Sequence, residues 1–251
     1  MDLNFIIYFI IGGMACGFVD ASLGMGFGVS ASSVLVSFFG VAPVIASAAV
    51  HTAEIFVDIV SGISHWRNGN VNLKISKHIL IPGIIASILG AVFLNGLSIS
   101  YAKPFVKTSL ILLGLVIIYK HIKTDDQKIS GISKVKAQLL GFIAAFIDVS
   151  IGGGWGPIGT PALILSGEDP RKAVGTIEFT EPIISLVAVL TFGYLIGFEN
   201  FISEGTIPMI LGGAIVSPLA SRFTSRIDRR TLGILIGLTL IGLNVWSLIG
   251  G

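Results

Sequence analysis

His51, Glu54 and Asp58 fall at i, i+3 and i+7 in an otherwise apolar stretch, so on a helix they share one face. Glu178 and Glu181 stand at i, i+3 in a second apolar stretch, where Pro182 is expected to kink the helix. Asp20 and Asp148 each close an apolar run just before a glycine cluster. An ionised carboxylate at the centre of a bilayer costs at least ~2.5 kcal/mol, and no Lys or Arg sits among these acids to pair with them. Carboxyls in that setting are expected to hold a proton for part of a working cycle. Asp20, His51, Glu54, Asp58, Asp148, Glu178 and Glu181 are therefore the candidates for proton coupling or gating. The bland alternative is that they only hydrogen-bond across helices, with Asp20 and Asp148 holding backbone amides of the following turns. His65, His78 and His121 read as interfacial, and Cys16 as a packing residue.

The glycine clusters suggest a different chemistry. Gly24, Gly26 and Gly28, and Gly152, Gly153, Gly154 and Gly156, interrupt apolar runs. Unwound backbone inside a bilayer must be buried in protein or line a cavity. A helix that restarts after the break presents free N–H groups and a positive dipole end, which attract anions. Two such ends brought together would make a mid-membrane anion site. Ser22 and Ser150 would add hydroxyl donors, and Phe27 and Trp155 would wall it. The alternative reading is close helix packing at small residues. No Cys/His cluster suggests a metal, and no cofactor or nucleotide motif is present.

The elements that must position these residues follow from composition and repetition. Apolar residues make up 53% of the chain and charged residues 12%, about half the charged share of a soluble domain. Mean hydropathy is +0.92. No basic stripe with interleaved aromatics points to nucleic acid. Apolar segments run at about 3–19, 22–40, 44–64, 79–97 and 104–119, then 137–149, 155–166, 172–197, 207–221 and 231–249. Asp20 to Gly28 reappears as Asp148 to Gly156, with Asp, Ser, three Gly and an aromatic at the same spacing. Pro43, Ala46 and Glu54 match Pro170, Ala173 and Glu181, and Ile81-Pro82 matches Ile207-Pro208. The chain thus divides into an N-terminal repeat over 1–120, a connector over 121–136 and a C-terminal repeat over 137–251.

Charge sets the relative orientation of the copies, because cytoplasmic loops are enriched in Lys and Arg. Loop 65–78 carries Arg67, Lys74 and Lys77, while its twin 198–206 carries Glu199 and Glu204. Loop 222–230 carries four Arg, while its twin 98–103 carries only Lys103. Arg171 and Lys172 face an uncharged twin, and residues 120–136 hold five Lys. Equivalent loops therefore lie on opposite sides. The expected fold is an all-α integral membrane protein of two inverted-topology repeats, each a Gly-broken helical hairpin plus three transmembrane helices, with both termini outside the cytoplasm in the inner membrane. Inverted repeats are an architecture shared by many secondary transporters. Lys103 and Lys107 dissent mildly from the charge rule. Gly212-Gly213-Ala214 is a small-residue face open either to a homodimer or to internal packing.

Gly17-Phe18-Val19-Asp20 through Gly28, Gly141-Phe142 through Gly156-Pro157, and the Pro-x-x-Ala segments at Pro43 and Pro170 resemble the sulfite exporter TauE/SafE family over nearly the whole chain. The resemblance implies an exporter or permease for sulfite, sulfoacetate or another organosulfur anion, with the two glycine turns and the adjoining polar helix faces as its site. The full glycine triplet at 152–154 departs from its twin, where Met25 intervenes. The leading expectation is alternating-access transport of a small anion, driven by substrate or proton gradients. A proton-coupled cation or metal transporter is the alternative, and an intramembrane enzyme or assembly factor a distant second alternative.

Overall fold

A computed structural model describes residues 3–122, 131–201, 206–223 and, within the last segment, 234, 237–238, 241–242, 244–246 and 248–249. Residues 123–130 of the connector, Glu204, the arginines after Arg222, and much of 231–249 lie outside the described residues. Among the described residues every regular element is helical. α1 spans Leu3–Leu23 and α2 Phe27–Ser33, which runs into a π-helical stretch, Val34–Phe38. There follow α3 (Pro43–Arg67), α4 (Leu73–Gly96), α5 (Ile99–Ile122), α6 (Lys134–Ile151), α7 (Trp155–Leu165), α8 (Pro170–Ile196) and α9 (Thr206–Phe223).

Length and hydropathy make α1, α3, α4 and α8 able to cross a membrane. The 21 residues of α1 reach roughly 31 Å, the thickness of the hydrocarbon core. α6 starts at Lys134 rather than 137, because Ser133 caps its first turn by accepting from the Lys136 amide at 3.4 Å. α7, at 11 residues, reaches only about half way across. α8 continues as a helix through Pro182. Large apolar side chains are exposed along the outside, among them Ile81, Tyr101, Leu190 and Ile215. Such a coat suits lipid rather than water, and the molecule is an integral membrane protein.

Helix partnerships set the centre. α1 lies against α9 in the same direction: a Cβ on Gly13 would meet Met209 Cα at 2.9 Å, and one on Gly17 would meet Gly213 Cα at 2.6 Å. The Gly212-Gly213 face is thereby used in internal packing. α4 lies against α6, also in the same direction, with Gly141 on Ile79 and Gly90 on Phe146 and Val149. α3 and α8 cross the middle in opposite directions. Ser185 sits beside His51, Ser61 bonds Glu178, and the Asn72 amide donates to Thr176 Oγ1 at 2.9 Å. Lys103 Nζ donates to Gly40 O at 3.2 Å, which ties the start of α5 to the chain leaving the π-helical stretch.

Candidate functional site

The two glycine breaks have the same build. α1 ends at Leu23 and α2 starts at Phe27; α6 ends at Ile151 and α7 starts at Trp155. Three residues separate the helices in each case. Gly24, Gly26, Gly152 and Gly153 all take positive φ, at 65°, 130°, 78° and 143°, a region that side chains strain. Met25 occupies the twin position of Gly153 without positive φ, and Gly154, the twin of Gly26, is extended at φ −174°, so the two turns differ in backbone path.

The turns meet face to face. A Cβ on Gly156 would lie 2.7 Å from Met25 Cα, and one on Gly153 would lie 2.9 Å from Gly28 Cα. Thr160 Oγ1 donates to Gly24 O at 2.8 Å, Ser47 Oγ to Val149 O at 2.8 Å, and Ser32 Oγ to Gly152 O. These hydroxyls satisfy carbonyls that the broken helices leave open. In this conformation not even a methyl group fits between the facing backbones. The carboxylates of Asp20 and Asp148 occupy the place at the restarting helices where an anion was expected. Asp20 Oδ1 accepts from the Phe27 amide at 3.3 Å, and Asp148 Oδ1 from the Gly154 amide at 2.8 Å.

The remaining candidates line the α3–α8 crossing. Asp20, His51, Glu54, Asp58, Asp148, Glu178 and Glu181 are all buried. His51 Nδ1 and Glu54 Oε2 lie 2.7 Å apart, with Ser185 Oγ 3.4 Å from each. Oxygens of Asp20, Asp58 and Glu178, from α1, α3 and α8, lie within 4.8 Å of one another. Both Asp58 oxygens, Glu178 Oε1, Glu181 Oε2 and Asp148 Oδ2 receive no hydrogen bond. No Lys or Arg is buried among the described residues. Six carboxyls and one imidazole cannot all be ionised in so dry a setting. Protons or a cation must accompany them, so the chemistry the arrangement supports is uptake of protons or a cation.

Phe27 and Trp155 are fully buried. Phe27 packs with Ala53 and Val57, and Cys16 packs against the same cluster. Trp155 donates its indole N–H to Ile177 O at 3.3 Å and packs beside Ile184. Ser22 and Ser150 are buried with hydroxyls that find no partner, and Ser150 Oγ faces Gly90 of α4. His65 is fully buried at the last turn of α3, with Nε2 2.9 Å from Ala21 O and Nδ1 3.3 Å from Asn70 Nδ2. Ser32, Ser47, Ser61 and Thr160 were not singled out by the sequence. Each is an ordinary small polar residue whose partner lies far away along the chain.

Apolar helices around a closed, acid-rich polar centre define a polytopic membrane protein with a candidate translocation site. A family model described as "Sulfite exporter TauE/SafE" matches residues 9–246, and the chain belongs to that family of membrane transporters. It is 35% identical over 249 residues to the "Probable membrane transporter protein YtnM" of Bacillus subtilis (strain 168), covering 97% of this chain and 83% of the relative. No solved structure matches the chain.

Proposed function

We propose that this protein is a proton-coupled secondary transporter that carries a small anion, of the class of sulfite, sulfoacetate or a related organosulfur compound, by alternating access. The observation that carries the reading is the meeting of the two glycine turns inside a symmetric frame of helices. Matched by their sequence repeats, α1 corresponds to α6, α3 to α8 and α4 to α9. Exchanging the members of each pair turns the α1–α9 packing into the α6–α4 packing and leaves the α3–α8 crossing unchanged. The members of the central pair run in opposite directions, as inverted repeats require. The basic loops support an inner-membrane protein with loops 65–78 and 222–230 in the cytoplasm and both termini outside. The structure then corresponds to an occluded state. Separation of the turns would expose the Gly24–Gly28 and Gly152–Gly156 amides and the free Ser22 and Ser150 hydroxyls to an anion. Protons on Glu54, Glu181, Glu178 and the other central acids would offset charge as the site changes sides.

Flux of labelled sulfite and sulfoacetate into proteoliposomes tests this. Uptake is expected to depend on an imposed proton gradient, and to lose that dependence in Glu54→Gln and Glu181→Gln. Anion flux with unaltered proton dependence in both variants rejects the coupling role. One observation favours a second reading, transport of a cation: Asp20, Asp58 and Glu178 converge with no positive group beside them. Divalent-metal flux, with no flux of any anion tested, would decide for it.

A further inference from the structure

The C-terminal ends of α3 and α9 part around a cavity of about 330 Å³. Arg67 and Asn68 enter it from the end of α3, and Arg222 and Pro218 from α9. Asn68 Nδ2 donates to Ser221 Oγ at 3.4 Å across the gap and ties the two helix ends together. Neither arginine forms an ion pair among the described residues. Val60 and Ile63 of α3 add apolar lining. Ile63 begins an exposed stripe that continues up α3 through Ile59 and Phe56, beside exposed Leu219 and Ile215 of α9. Two arginines and two aliphatic side chains thus line one cavity, next to an apolar exposed surface that suits lipid tails.

We propose that this cavity is a binding site for one anionic phospholipid, its phosphate held between Arg67 and Arg222 and its acyl chains laid along the Ile63 stripe. Guanidinium pairs bind phosphate oxygens in a forked, directional way that an ammonium does not. A free oxyanion shares that chemistry, but it would leave the apolar lining of the cavity unused. The arginine pair has no counterpart in the other half of the sequence. By the repeat spacing, Tyr194 takes the place of Arg67 in the other half, and Gly96 that of Arg222. The arginines belong to the two loops whose charge assigns them to the cytoplasm, where the leaflet carries anionic lipid. A lipid there would bridge α3, which carries His51, Glu54 and Asp58, to α9, and so stabilise one arrangement of the helices.

The purified full chain in phosphatidylcholine nanodiscs, with and without phosphatidylglycerol, tests this by melting temperature and by native mass spectrometry of retained lipid. Phosphatidylglycerol is expected to raise the wild-type melting temperature by several degrees, a gain from binding the folded state, and to leave one tightly held anionic lipid per chain. The double variant Arg67→Gln/Arg222→Gln is expected to lose both effects, and Arg222→Gln alone to lose part of each. Arg171→Gln/Lys172→Gln, at the start of α8, is expected to keep both. If the double variant does not fold, Arg67→Lys/Arg222→Lys stands in for it: the charge stays and the fork is lost, so the retained lipid is expected to exchange faster. An unchanged lipid gain or exchange rate in the arginine variants overturns the proposal. So does an equal gain from added phosphatidylcholine. An equal gain from soluble glycerol phosphate overturns the lipid assignment in favour of a free oxyanion.

Discussion

Gly153→Ala should damage this protein more than its size suggests. Gly153 holds φ at 143°, a conformation close to glycine-only, and an added Cβ would lie 2.9 Å from Gly28 Cα and press on the Val29 amide. Ordinary carbon contacts sit near ~3.5–4 Å, so the facing turn must retreat by about 1 Å. The obstacle is backbone, which cannot rotate away. Backbone strain of this kind costs about 1–3 kcal/mol, and overpacking a further ~1–3 kcal/mol. The residue lies in a turn, so alanine regains nothing from helix propensity. The sum, roughly 2–6 kcal/mol, corresponds to a fall in melting temperature near 10 °C for a chain of this length, at about 2–4 °C per kcal/mol. Fluorescence-monitored melting in detergent measures it. Gly12→Ala is the control: nothing lies within 4 Å of its Cβ, and alanine in a helix should be neutral or stabilising by up to about 1 kcal/mol. Equal melting of Gly153→Ala and wild type would refute the claim that the two turns are in backbone contact.

Three further outcomes follow from the site. Asp148→Ala should lower stability by about 0.5–2 kcal/mol through loss of its bond to the Gly154 amide. Asp148→Asn should keep most of that stability while altering proton-dependent flux, and a flux defect absent from the Asn variant would mark Asp148 as structural only. Ser61→Ala should cost about 1–3 kcal/mol by removing the donor to buried Glu178, a loss measurable by melting and largely absent when Glu178→Met, which has no oxygen to leave unpaired, is already in place. Thr160→Val should weaken the α7–Gly24 contact by about 1–3 kcal/mol through an unpaired buried carbonyl, read in the same assay.

The all-helical membrane frame could be read in the sequence, because hydropathy and helix length act locally. The spacing Asp-x-Ser-x-Gly-x-Gly marks both turns, and the alternative of a carboxylate bonding backbone amides describes what Asp20 and Asp148 do. Helical period put His51, Glu54 and Asp58 on one face, and they share it. The grouping of Asp58 with Glu178 and Asp20 could not be read. Repeat spacing makes Glu178 the equivalent of His51, whereas antiparallel crossing makes residues of α3 and α8 partners at other offsets, such as Ser61 with Glu178. The burial of His65 could not be read either: its ring nitrogen meets the Ala21 carbonyl at the end of α1, a partner with no sequence signal. Lys103, at odds with the charge rule, bonds the Gly40 carbonyl across 63 residues of chain. The closure of the turns on each other is a property of one conformation, and composition carries no trace of it.

Cysteine accessibility gives the most direct test of two oppositely oriented halves around a shared centre. With Cys16 replaced by alanine, single cysteines at Asn70 and Asn200 are labelled with an impermeant maleimide from either face of sealed vesicles. Labelling from opposite faces is the expected result, with Asn70 reacting from the cytoplasmic side. Reaction of both sites from the same face would contradict the account.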